Sequence, residues 1–509
     1  MSSESSKRIA KNTAMLYFRM LFTMAVSLYT SRIVLNSLGI EDFGIYNVVG
    51  GIVVMFGFLN SAMAAATQRF LTFEMGNGDH SQLKQIFSMS ITIHALIAIA
   101  ILILSESIGL WFLNTQLNIP AARMNAANWV YQFSIFAFII TVLNVPYNAT
   151  IIAHERMSVY AYVSIIEVLL KLFIVFILVW FGLDKLKLYA VLVFSVSLII
   201  LIIYNIYCKQ KFEECKYHFI WDRQLFQHMS SFANWNLLGV FAGIAYNQGV
   251  NLLLNVFFGP TVNAARGIAY QVQGAVNGFV TNFQVAVNPP ITKSYAIGDK
   301  QYMYSLVFSS SKYSFYLLLF LSLPVLIETK YILELWLKTV PDYTIIFTRL
   351  VLLDILICSL SGSLQTMVQA TGKVKKYQLV VSGILLMNLP VSYILLRLGF
   401  LPQVTFIVSI FISFLALLGR LIVLKIIENF PVKSFLKDVI WKVIAVFFIA
   451  AVFPVFISTQ ILFPTKQFFL VLMSSVLSVI GSVYFLGITK SEKIYWRKNL
   501  LKFISKNKN

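Results

Sequence analysis

Apolar runs of about twenty residues recur from residue 14 to residue 488, separated by short polar segments. A helix of that length crosses a hydrocarbon layer of roughly 30 Å. The pattern predicts about fourteen helices, near 14–38, 43–68, 83–107, 125–150, 158–181, 187–208, 228–257, 263–289, 303–327, 343–370, 377–397, 403–425, 435–458 and 467–488. Most connections are short, as between neighbours in a bundle. The fold class is an all-α polytopic membrane protein.

The polar positions reveal an internal repeat. At an offset of 220 residues, "GIEDFGIYNVVGGIVVMFGFLNSAMAAATQRFLTFEMGNGD" from Gly39 aligns without a gap with "GPTVNAARGIAYQVQGAVNGFVTNFQVAVNPPITKSYAIGD" from Gly259. At an offset of 217, Ala153, Arg156, Tyr160 and Gly182 align with Ala370, Lys373, Tyr377 and Gly399. Twelve helices thus form two parallel six-helix repeats, since an even number of spans preserves orientation. The expected domains are 1–220, 221–430 and 431–509, the last holding two additional helices and a basic tail.

Only 12% of the residues are charged, yet the net charge is +20. With the N-terminus in the cytoplasm, 25 of the 40 Lys and Arg fall on that side and 7 outside, which follows the positive-inside rule. The basicity is topological and does not call for nucleic acid. Both ends are expected in the cytoplasm, with "MSSESSKRIAKN" a retained end rather than a secretory signal. Cys208, Cys215, Cys358 and five scattered histidines show no metal spacing or disulfide framework. No nucleophile–base set, paired carboxylates or phosphate loop appears, so neither an enzyme nor a cofactor is expected.

Some polar residues lie inside the apolar runs. On the span 263–289, Arg266, Tyr270, Gln273, Asn277, Gln284 and Asn288 fall within an arc of about 60° at 100° per residue. Asn236, Asn247 and Asn251 share an arc on the span 228–257. Polar groups facing lipid are costly, so these stripes face protein or a wet cavity. Two readings stay open: amides hydrogen-bonding between packed helices, and a hydrated substrate path. Arg32 and Arg266 lie toward the external end of their spans, one in each repeat. Together they form a candidate phosphate clamp, against the alternative that Arg32 only snorkels to the interface. Arg69 either meets an anionic substrate or anchors its helix. Pro289-Pro290 stops the span or kinks it. Glu167 and Lys171 are spaced to pair with each other, whereas Arg349 and Asp354 are poorly spaced to do so. Asp354 and Glu167 are the candidates for ion coupling.

These features resemble the polysaccharide (O-antigen type) flippases of the multidrug/oligosaccharidyl-lipid/polysaccharide (MOP, MATE-like) exporter superfamily. The resemblance covers essentially the whole chain. It is carried by the paired six-helix lobes, "SLGIEDFGIYNVVGGI", "ATQRFLTFEMGNGD" and "NPPITKSYAIGD". It implies two MATE-like lobes around a cavity that opens alternately to each side of a bacterial inner membrane. It also implies a cargo of oligosaccharide on polyprenyl pyrophosphate, destined for O-antigen, capsule or exopolysaccharide, with membrane lipids, a glycan polymerase and other assembly enzymes as partners. Arg32 and Arg266, with Arg349 and Lys312, would supply a cationic cavity. Tyr270, Gln273, Asn277, Gln284, Asn247 and Asn251 would meet sugar hydroxyls. Two rivals are a peptidoglycan lipid-precursor flippase and a MATE-type cation-coupled drug exporter. A cation exporter needs an acid in its cavity, and the spans 14–38, 43–68, 228–257 and 263–289 hold no Asp or Glu. A scaffold that merely gathers glycan enzymes has no use for a wet interior.

Overall fold

The computed structural model describes residues 3–55, 57–115, 119–180, 184–258, 260–337, 340–460, 464–488 and 492–493, with some side chains of 3–7, 28–59, 179 and 248–264 left out. Among the described residues every regular element is helical. The first six helices are α1 (Ser3–Met55), α2 (Gly57–Asn77), α3 (His80–Thr115), α4 (Ala121–Ala153), α5 (Met157–Trp180) and α6 (Lys185–Lys211). Next come α7 (Arg223–Ile244), α8 (Val250–Phe258), α9 (Pro260–Ala296), α10 (Lys300–Ile327) and α11 (Thr329–Leu337). The last five are α12 (Thr344–Thr371), α13 (Val374–Arg397), α14 (Val404–Glu428), α15 (Val432–Gln460) and α16 (Pro464–Gly487).

Ten segments among the described residues are long and apolar enough to cross a membrane, and they coincide with ten of the expected spans. The other four, 14–38, 43–68, 228–257 and 263–289, lie within α1, α1–α2, α7–α8 and α9. Gly39, at φ 81°, divides the first from the second. Pro289 and Pro290 do not stop α9, which runs on to Ala296. Thr292 and Ser294 hydroxyls donate to the carbonyls of Asn288 and Pro290, satisfying backbone acceptors in that stretch.

The repeat is visible in the backbone. Gly78 and Gly298, offset by 220, take φ 79° and 78°. Each is followed by an aspartate that caps the next helix: Asp79 accepts from the Ser81 and Gln82 amides, and Asp299 from Tyr302. Glu155 and Gly372, offset by 217, take φ 58° and 73° in the turns after α4 and α12. Glycine occupies the left-handed region freely, whereas a glutamate there costs on the order of 1–2 kcal/mol. Glu155 therefore needs compensation from its surroundings.

The chain packs as two compact units. Unit 1 is 1–241, 285–303 and 369–375; unit 2 is 242–284, 304–368 and 376–509. In unit 1, Leu71, Phe87, Tyr147, Ile151 and Ile200 belong to one buried cluster, which also contains Cys208 and Cys215, both buried rather than looped out. In unit 2, Val250, Leu254, Ala265, Ala269, Phe347 and Phe406 form another. Lipid tails are as apolar as these side chains, so close fit and polar contacts specify the packing. A Cβ on Gly249 would stand 2.3 Å from Leu389 Cδ2, and one on Gly419 would stand 2.8 Å from Ile384 Cδ1. These two glycines let α7–α8 and α14 sit against α13.

Candidate functional site

The site grows from a break in helical geometry. Between α7 and α8, residues Ala245–Gly249 form a π-turn, which shifts backbone carbonyls out of the α-helical ladder. The Asn247 carbonyl there accepts a hydrogen bond from Arg266 Nη2 at 2.6 Å. Arg266 is 6% exposed, and its guanidinium carbon lies 4.1 Å from the centroid of the Tyr270 ring one turn along α9. Its Nε has no partner, and it forms no ion pair among the described residues. A guanidinium carries five donors in a planar fork, and among the described residues this one meets the Asn247 carbonyl and the Tyr270 side chain while its Nε stays open. It is a buried cation with open valence, held flat by an aromatic face.

The residue before Asn247 reaches an acid. Tyr246 Oη lies 3.3 Å from Asp354 Oδ2, 3.2 Å from the Ser409 carbonyl and 3.2 Å from Ser413 Oγ. A phenol has one proton to donate, so the Asp354 carboxylate and the Ser409 carbonyl compete for it, whereas Ser413 can donate its own proton to the phenol oxygen. Cys358 Sγ approaches Ser413 Oγ at 3.4 Å. Asp354 Oδ1 has no partner, and Asp354 forms no ion pair among the described residues. A lone cation and a lone carboxylate thus flank the Tyr246–Asn247 dipeptide, the tyrosine hydroxyl on one and the asparagine carbonyl on the other.

The remaining expected residues divide. Gln273 and Asn277 are half-buried along α9. Gln284 Nε2 donates to Ser314 Oγ at 3.3 Å and approaches the Ser359 carbonyl at 3.5 Å. Its amide also fills the space where a Cβ of Gly362 would stand, so it joins α9 to α10 and α12. The Asn247 side chain donates to the Gly243 carbonyl on its own helix, leaving its main chain to hold Arg266. Asn251 is half-buried on α8. The Arg32 side chain lies outside the described residues, so the two-arginine clamp stays an expectation.

Of the other embedded charges, Arg19 on α1 stacks over the Tyr160 ring at 4.5 Å with its Nε unpartnered, and the following are paired or capped. Glu167 pairs with Lys171 at 2.6 Å. Arg349 donates to Thr329 Oγ1 at 3.2 Å, away from Asp354. Lys312 meets Glu492 at 3.5 Å. Arg420 donates to Tyr377 Oη and Ser361 Oγ, at 3.0 and 3.2 Å. Sequence reading missed Tyr246, Ser409 and Ser413. They lie between 55 and 108 positions from Asp354 along the chain, and no local spacing encodes the link. Among the described residues no three His, Cys, Asp or Glu side chains gather in a way that holds a metal.

No protein-family model matches the sequence, and no curated protein matches it. Solved structures do. An outward-facing multidrug resistance MATE family transporter of the MOP superfamily superposes with a TM-score of 0.72 at 13% identity, over 84% of this chain and 97% of its own. A MOP superfamily transporter from Pyrococcus furiosus, described as having a binding pocket of reverse polarity that suggests a different function, gives 0.69 at 13%, over 85% and 96%. A Vibrio cholerae MATE transporter gives 0.64 at 16%, over 84% and 99%. The fold is that of the MATE transporters, and this chain is longer than the part they share.

Proposed function

We propose that the protein is an alternating-access membrane transporter that flips oligosaccharide linked to polyprenyl pyrophosphate from the cytoplasmic to the outer leaflet, for surface polysaccharide synthesis. The observation that carries this reading is Arg266: buried, without an acidic partner among the described residues, its Nε unpartnered, and braced on Tyr270. A diphosphate offers the planar, bidentate acceptors that such a fork satisfies. The polar side chains along α9 from Tyr270 to Asn277 suit sugar hydroxyls next to that anion, while the polyprenyl chain stays in lipid. Cell-interior-negative potential favours outward movement of the anion by about 2.3 kcal/mol per charge per 100 mV. The likeness to a MOP transporter described as having a reversed pocket polarity supports the view that this fold accommodates more than one kind of cargo.

Asp354 favours a second reading, cation-coupled export in the manner of MATE multidrug transporters. A buried carboxylate without a cation partner among the described residues is what a proton, sodium ion or cationic drug would occupy. Asp354 as the coupling group of a flippase reconciles both residues; Asp354 as the cargo site does not use Arg266.

Mass spectrometry of lipid-linked oligosaccharides in cells with and without the protein separates the two readings. The flippase reading expects one polyprenyl-pyrophosphate glycan to accumulate and surface polymer to disappear. An unchanged lipid pool with altered resistance to cationic compounds gives the exporter reading the ground.

A further inference from the structure

Unit 1 contains two copies of one construction, at the end of the helices where the Gly78 and Gly298 turns lie. In the first copy, the turn after α4 presents Glu155, 5% exposed. Its carboxylate meets Lys293 Nζ of α9 at 2.9 Å. It also lies 2.8 Å from Arg8 Nε of α1, an ion pair in which the N–H is not aligned on the oxygen. Asn12 Nδ2 donates to the Glu155 carbonyl at 3.2 Å. In the second copy, the turn after α12 has Gly372 at the equivalent position. Arg69 of α2 donates from Nε to the Gln369 carbonyl and from Nη2 to the Ala370 carbonyl, each at 3.1 Å. These carbonyls are the negative end of a helix, which a cation stabilises. A Cβ on Gly372 would stand 2.9 Å from Arg69 Nη2. One turn therefore offers an acidic handle, and the other offers backbone with room cleared for an arginine.

The cations are exchanged between sequence repeats. Lys293, from the second repeat, holds the first repeat's turn; Arg69, from the first, holds the second's. At the 220 offset Lys293 is the counterpart of Phe73 and Arg69 of Pro289, so the clasps sit about one helical turn apart on equivalent helices. Gly76 and Ala296 are also counterparts, and they touch each other: a Cβ on Gly76 would stand 2.7 Å from Ala296 Cβ. Equivalent positions meet where a two-fold relation between copies passes. The axis of the repeat thus runs by this contact, between α2 and α9.

We propose that the two clasps and the Gly76–Ala296 contact form a latch that seals this end of the repeat pair and opens once per transport cycle. This rests on the transporter reading but not on the identity of the cargo. The chemistry suits opening. The clasps are ions and carbonyls that water can solvate again, Arg8 is already 55% exposed in its side chain, and a glycine against an alanine exposes little apolar surface on parting.

The test uses full-length protein in membrane vesicles. Gly76→Cys with Ala296→Cys should form an intramolecular disulfide on oxidation, identified by peptide mass spectrometry. Transport should fall about tenfold or more and return with a reductant, because a state that cannot be left traps the cycle. Oxidised wild type controls for Cys208, Cys215 and Cys358. A cross-linked protein that still transports, or a pair that never cross-links, overturns the proposal. Separately, Ala296→Cys alone should react several-fold faster with a membrane-impermeant maleimide when Arg69→Gln and Glu155→Gln are added. The exchange Glu155→Lys with Lys293→Glu should slow it again. Unchanged labelling rates overturn the clasps. Labelling is independent of what is carried, so it decides the latch even if the oligosaccharide reading fails.

Discussion

Glu155 and its neighbours in unit 1 treat buried charge differently from Arg266 and Asp354 in unit 2. In unit 1 the acids are answered: Glu155 by Lys293 and Arg8, Glu214 by His154 at 2.6 Å, and Asp42 and Asp184 by the single guanidinium of Arg123. In unit 2, Arg266 and Asp354 lie one residue apart in their contacts, to Asn247 and Tyr246, and form no ion pair among the described residues. An ion pair inside a protein holds elements in register. A lone ion in the same setting costs stability and persists where something else uses it. Under the proposed function, the contrast separates ions that hold elements in register from ions left available to a cargo.

Arg266→Ala should break the contrast most visibly. Losing charge-assisted hydrogen bonds to a diphosphate should lower transport about 10- to 100-fold, with membrane levels of the protein unchanged in quantitative blots. Arg266→Lys should stay impaired, since an ammonium lacks the fork. Arg123→Ala makes the opposite prediction: it leaves two aspartates facing each other and loosens α1, α4 and α6. With Arg123 28% exposed in its side chain, the loss should be about 1–3 kcal/mol of unfolding stability. Thermal unfolding in detergent measures this, and transport per folded molecule should be retained. Asp354→Asn should be milder, since a neutral amide still accepts from Tyr246. Transport should persist at a lower rate and lose its dependence on an imposed proton or sodium gradient. Equal dependence in wild type and variant would remove Asp354 from coupling.

The smallest effect concerns pH. Burial alone raises the Glu214 carboxyl. The hydrogen bond from His154, a backbone hydrogen bond and the charges of His154 and His80 outweigh it and hold the group below its ordinary value of 4.5. A depressed carboxyl adds stability above the unfolded value and loses it as pH falls through the folded one. Glu214→Gln should therefore flatten the acid limb of melting temperature against pH below about 4.5, by roughly 1 kcal/mol or less, and leave the neutral range almost unchanged.

The fold was legible because membrane spans are written in local composition, and ten of fourteen emerge as expected. The repeat was legible because turns need particular residues: Gly78 and Gly298 are left-handed, and the aspartates after them are caps. Arg266 and Tyr270 were legible as neighbours because they lie one turn apart. The Pro289-Pro290 pair reads equally as a stop or a kink in sequence, because proline removes one intrahelical donor without forbidding the helix around it, and α9 runs on to Ala296. The partners of Asp354 were hidden, since Tyr246 and Ser413 lie far from it in sequence and nothing in their spacing brings them together. Arg69 looked like an anchor or a substrate contact. Its actual partners are carbonyls, which no sequence pattern marks.

The central claim is that Arg266 holds a diphosphate. Native mass spectrometry of the purified protein with polyprenyl pyrophosphate tests it directly. The account predicts that wild type and the Asp354→Asn variant retain the lipid and that the Arg266→Ala variant does not. Equal retention by the Arg266→Ala variant, or displacement of the lipid by a lipophilic cation in wild type but not in the Asp354→Asn variant, would contradict it.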